Sequence, residues 1–132
     1  MTNNKKELIT YWINSSDNDF KAMIYLFEKG DHTWSLFIGH LVLEKLIKAF
    51  YIKNTSELPP LIHDLVRLSE KGRLLLDDEQ KDNLDTVSAF NLKARYDDYK
   101  MEFHKKCTRE FTYKWIATIK EFRKWIKEKL LK

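Results

Sequence analysis

The 132 residues of this chain are the length of one domain. Hydrophobic residues make up 43% and charged residues 33%, enough to build a core and too apolar for a disordered chain. The net charge of +4 is uneven: residues 1–92 hold 11 Lys and Arg against 14 Asp and Glu, net −3, whereas 93–132 hold 13 against 6, net +7.

Three glycines and two prolines supply too little turn chemistry for a many-stranded β-sandwich or barrel. Gly30, Gly39 and Gly72 are too scattered for a P-loop or dinucleotide fingerprint. The single Cys107 excludes an internal disulfide and a cysteine-based zinc cluster within one chain. No apolar run approaches the roughly 18–20 residues of a membrane span, and no basic-then-apolar leader opens the chain. The expectation is a cytoplasmic protein without membrane association. A basic C-terminal third suits a polyanion-binding surface, and it equally suits a solvated, lysine-rich helix face.

The first helix is expected over about 6–28. Leu8, Tyr11, Trp12, Ala22, Met23 and Leu26 form its stripe, and Gly30 sits just past its end. The polar stretch Asn14–Asp19 weakens its middle, where a kink or fraying is expected. The second helix, about 32–53, is capped by Asp31 or Thr33. Trp34, Phe37, Ile38, Leu41, Val42 and Leu46 fill one side, and Leu36, Leu43, Ile47 and Phe50 most of the rest, so it is central. Phe37 and Leu41 are expected on its inward face. A short third helix starts at Pro60 and ends at Gly72, with Leu61, Leu65 and Leu68 inward. Asp77 with Gln80 makes a capping-box start for the fourth, which runs to Arg95 before a loop at Tyr96–Tyr99. The last, about 106–131, has the clearest period: Phe111, Trp115, Ile119, Phe122, Ile126 and Leu130, with Trp115 and Ile119 inward. These elements describe one all-α domain over 1–132, an antiparallel up-and-down four-helix bundle with an additional short helix.

Four segments in this order resemble the HEPN family: Tyr11-Trp12 through Glu28-Lys29-Gly30, the run Ser35–Ala49, Ile62-His63-Asp64-Leu65, and Phe90-Asn91-Leu92-Lys93-Ala94-Arg95-Tyr96. The resemblance implies a helical bundle, a homodimer, and association with a nucleotide, RNA or a cognate minimal nucleotidyltransferase, in a toxin–antitoxin pair or as a substrate-binding component. Many family members are metal-independent ribonucleases that use an arginine followed at short spacing by a histidine. Here Lys100, Met101 and Glu102 stand where that histidine would fall. The next one, His104, has eight residues between it and Arg95, and Asp97 replaces the proline usual after Arg-Tyr.

Arg95 and His104 are nonetheless the catalytic candidates. Metal-free RNA cleavage needs a group that moves a proton from the 2′-hydroxyl and a cation that stabilises charge on the phosphate. Arg95 alternatively binds phosphate without cleavage, or pairs with Asp97, Asp98 or Glu102. Tyr96, Lys45, Lys105, Lys106 and Lys124 join Arg95 as nucleotide- or RNA-binding candidates. His40, Glu44, Lys48 and His63 form either a paired structural network or the wall of a cleft. No metal and no cofactor is expected, because no histidine has a second histidine one helical turn away. A binding module is the first functional reading and a ribonuclease toxin using Arg95 and His104 the second.

Overall fold

A computed structural model describes residues 3–132. It is all-helical among these residues, with six helices: α1 Asn3–Glu28, α2 His32–Thr55, α3 Leu65–Lys71, α4 Asp78–Arg95, α5 Glu102–Lys106 and α6 Arg109–Leu131. The four long ones alternate in direction. Phe27 at the end of α1 stacks near Tyr113 at the start of α6, whereas Lys53 at the end of α2 donates to the Lys129 carbonyl at the end of α6. Arg95, at the end of α4, reaches Phe37 near the start of α2.

The central helix is α2, which packs on α1, α3, α4, α5 and α6. Leu36, Leu43, Leu46 and Ile47 are fully buried on it, as expected of a helix apolar nearly all round. Gly39 lets this hub sit close to its neighbours: a Cβ there would stand 2.6 Å from Ile119 Cδ1 and 3.0 Å from the Met23 sulfur. Trp115 and Ile119 face inward from α6 as their period requires.

Several expectations fail, each for a local reason. Trp34 is 43% exposed, and Phe37 and Leu41 are only half-buried outside the main core. With apolar residues on nearly every face of α2, periodicity cannot say which stripe faces out. The polar middle of α1 does not fray. It is one continuous helix whose polar groups tie it to its neighbours: the buried Ser16 hydroxyl donates to the Val42 carbonyl, and Asp17 pairs with Arg123 and Lys127. Helix α3 starts at Leu65 and not at Pro60, because the Asp64 carboxylate accepts the Val66 and Arg67 N–H groups and fixes the start there. Leu61 consequently lies in the preceding loop, 97% exposed. The last helix begins at Arg109, capped by Thr108, and the segment before it forms the separate α5. The capping box at Asp77 and Gln80 forms as read, and α4 ends at Arg95.

Candidate functional site

Thr33, Phe37, His40, Glu44 and Lys48 follow one another on α2 at intervals of four, three, four and four, so they share one stripe of the helix. The C-terminal half of that stripe is closed. Glu44 is 4% exposed. Its Oε1 accepts from His63 Nδ1 at 2.8 Å and lies 3.5 Å from His40 Nε2, while Oε2 accepts from Lys48 Nζ at 3.2 Å. His40 Nε2 donates to the His63 carbonyl at 3.2 Å, which anchors the loop before α3. The Lys48 ammonium lies 4.9 Å from the Trp12 ring centre.

Burial alone would raise the Glu44 carboxyl. The His63 hydrogen bond and the nearby His40 and Lys48 outweigh it and hold the group below the ordinary carboxylate range. Burial dominates at His40 and pushes the imidazole below its usual value against the pull of Glu44, with Arg95 among the charges acting in the same direction as burial. At neutral pH this half of the stripe thus contains an ionised carboxylate, an ammonium and a neutral imidazole.

The N-terminal half is open. Arg95, exposed at the end of α4, donates from Nε to the Asn91 carbonyl at 3.1 Å. Its guanidinium lies 5.9 Å from the Phe37 ring centre and 5.1 Å from that of Tyr96. It pairs with no carboxylate among the described residues, so the expected alternatives Asp97, Asp98 and Glu102 do not engage it. The Asp97 carboxylate is occupied elsewhere. It accepts the N–H groups of Asp98 and Phe103 on Oδ1 and that of His104 on Oδ2, at 2.9–3.1 Å. Slight desolvation would raise this carboxyl, and the backbone donors outweigh it and hold it low. Asp97 thereby holds the start of α5, which lies between the loop read at Tyr96–Tyr99 and the expected start of the last helix. His104 is exposed on α5, and its Nδ1 hydrogen-bonds the Thr33 hydroxyl at 3.1 Å. Thr33, expected as a cap of α2, serves this contact instead. Asp31 occupies the cap position without a side-chain capping bond.

Arg95 and His104 therefore rest on the same stripe, but at Phe37 and Thr33, about 6 Å apart along the helix axis. Their hydrogen bonds go to different partners, the Asn91 carbonyl and the Thr33 hydroxyl. Tyr96, Lys105 and Lys106 come together around a cavity of about 560 Å³, which Asp97, Asp98 and Glu102 also line. Two expected members lie elsewhere. Lys124 is 15 residues into α6 from Arg109, about 22 Å along the axis. Lys45 pairs with Asp19 on α1 at 2.6 Å. Sequence reasoning missed Asn91, Asp97 and Thr33 as the residues that position Arg95 and His104. The i, i+4 step from Asn91 to Arg95 was the one readable signal among them.

No curated protein and no solved structure matches the chain. The family model of the HEPN domain matches residues 9–130, nearly its whole length. Its helical architecture agrees with that match, and the chain belongs to the HEPN domain family.

Proposed function

We propose that this protein is a homodimeric HEPN binding module whose Arg95 contacts the phosphate of a nucleotide or RNA and which acts beside a cognate minimal nucleotidyltransferase. HEPN membership supports a nucleotide- or RNA-related role in general. The observation that carries the finer reading is the state of Arg95: exposed, held by Asn91 and two aromatic rings, and unpaired among the described residues. A guanidinium fixed in this way keeps its outer N–H groups for a planar anion, and holding it in place in advance lowers the cost of binding. His104 supports binding over cleavage. It stands outside the family spacing, and one of its ring nitrogens is engaged by Thr33. The half-buried Phe37 and Leu41, beside exposed Trp34 and Tyr96, support a self-association surface near the same end of the bundle.

Purified protein is expected to bind a short oligoribonucleotide without cutting it. Arg95→Ala should weaken binding severalfold, and His104→Ala should change it little. Metal-independent cleavage abolished by His104→Ala would replace this reading with the ribonuclease one. Light scattering should give twice the chain mass of 16.0 kDa, and a 16.0 kDa species at micromolar concentration would remove the dimer from the proposal.

A further inference from the structure

Helix α4 and the loop before α3 enclose a cavity of about 400 Å³, a volume within the range of small-molecule sites. Its two walls are tied together. The Leu65 N–H donates to the Ser88 hydroxyl at 2.8 Å, which joins the start of α3 to α4. On the loop side, the His63 ring is held by the buried Glu44 carboxylate. No Lys or Arg lines this cavity, and its carboxylates are those of Asp64 and Asp85. Both cap bonds of Asp64 fall on Oδ1, so Oδ2 is left to accept. Asp85 is exposed and has no ion-pair partner among the described residues.

Asn91 is an independent sign of a ligand. It lines the same cavity and is only 7% exposed. Its backbone carbonyl accepts from Arg95, whereas its side-chain amide has no hydrogen-bond partner among the described residues. A buried amide is costly to leave unpaired, so a ligand that pairs with it is favoured. The lining is completed on α4 by the apolar Ala89 and Leu92.

We propose that this cavity binds an alkylguanidinium cation. Two carboxylates facing no Lys or Arg set the sign of the charge. The number of acceptors selects the head group. Both oxygens of Asp85, Oδ2 of Asp64 and the amide oxygen of Asn91 exceed what the three N–H groups of an ammonium can use, and they suit the five of a planar guanidinium. Ala89 and Leu92 give an apolar surface for the methylene stem. Such a cation comes from an arginine of a partner protein or from a free small guanidine. The inference goes beyond the reading of Arg95 and does not depend on it.

Titrating isotope-labelled protein with agmatine tests the proposal, read by NMR at the side-chain amide resonances of Asn91. They should shift and saturate, and putrescine, which carries an ammonium in place of the guanidinium, should bind at least fivefold more weakly. Asp85→Asn removes an exposed charge and should weaken agmatine about tenfold or more, the size of one charge-assisted hydrogen bond. Asp82→Asn, an exposed carboxylate of α4 outside the cavity, should leave the affinity unchanged. Unmoved Asn91 resonances would overturn the proposal, as would equal binding of putrescine or equal losses in the two variants. If Asp85→Asn does not fold, the wild-type Asn91 resonances and the putrescine comparison decide. Acetyl-arginine amide separates the two sources: tighter binding than agmatine supports a partner's arginine, and weaker binding supports a free guanidine.

Discussion

The two halves of the α2 stripe behave oppositely. From His40 to Lys48 the charges are buried and answer one another: one carboxylate holds an ammonium and an imidazole, and a second imidazole ties down the loop before α3. From Thr33 to Phe37 the polar groups come from other helices, sit in solvent, and leave a guanidinium without a counter-charge among the described residues. A buried charge left alone is costly, so the first half must be complete to fold. An exposed arginine costs little to leave open, so the second half is available to a ligand. Charged residues around the central helix are therefore assigned to fold or to function by their burial and their partners.

The largest effect expected from this contrast is at Glu44. Glu44→Ala leaves Lys48 buried without its carboxylate and unties His63, and it should cost about 3–5 kcal/mol in denaturant unfolding. A cost under about 1 kcal/mol would show that the closed half does not hold the bundle together.

Next come two leucines of α2 with opposite surroundings. Leu43→Ala empties a fully buried site and should cost about 2–5 kcal/mol. Leu41→Ala, half-buried and outside the main core, should cost about 1 kcal/mol or less. Equal losses would mean that Leu41 faces inward after all.

Acid should act on the closed half through His40 and Glu44. His40 is held neutral, below its ordinary value of 6.5, so the unfolded chain binds the extra proton and stability declines as pH falls below that value. Glu44 is held below its ordinary 4.5, so its contribution is complete above that value and is lost as pH falls through its depressed folded value. Urea midpoints measured from neutral to acid pH should fall in this order. Glu44→Gln, less stable throughout, should flatten the second decline.

Much of the bundle was legible because its signals are local. The α4 cap spans Asp77 to Gln80, and the α6 stripe repeats every three or four residues. What stayed hidden acts across longer separations. Asp97 holds the start of α5 by accepting N–H groups up to seven residues on, a pattern that no helix period announces. The Asp64 cap overrode the start expected at Pro60, because a side chain that satisfies two backbone donors fixes a helix end more firmly than a proline permits one. At the site, the Glu44–Lys48 pair could be read from its spacing, whereas His63 joins it from 19 residues away through the return of the chain. Likewise Arg95 was singled out, but its foothold on Phe37 depends on how α4 crosses α2.

The smallest expected effect on stability belongs to Arg95. Arg95→Ala should leave unfolding within about 0.5 kcal/mol of wild type, since no buried partner is stranded. The most direct test of the open half is the salt dependence of oligoribonucleotide binding by wild type and Arg95→Ala. Phosphate contacts release counterions, so log affinity falls linearly with log salt, and loss of one contact reduces the slope by about one. The variant should bind more weakly and with that shallower slope. Equal affinity and equal slope in the two proteins would contradict the assignment of Arg95 to phosphate.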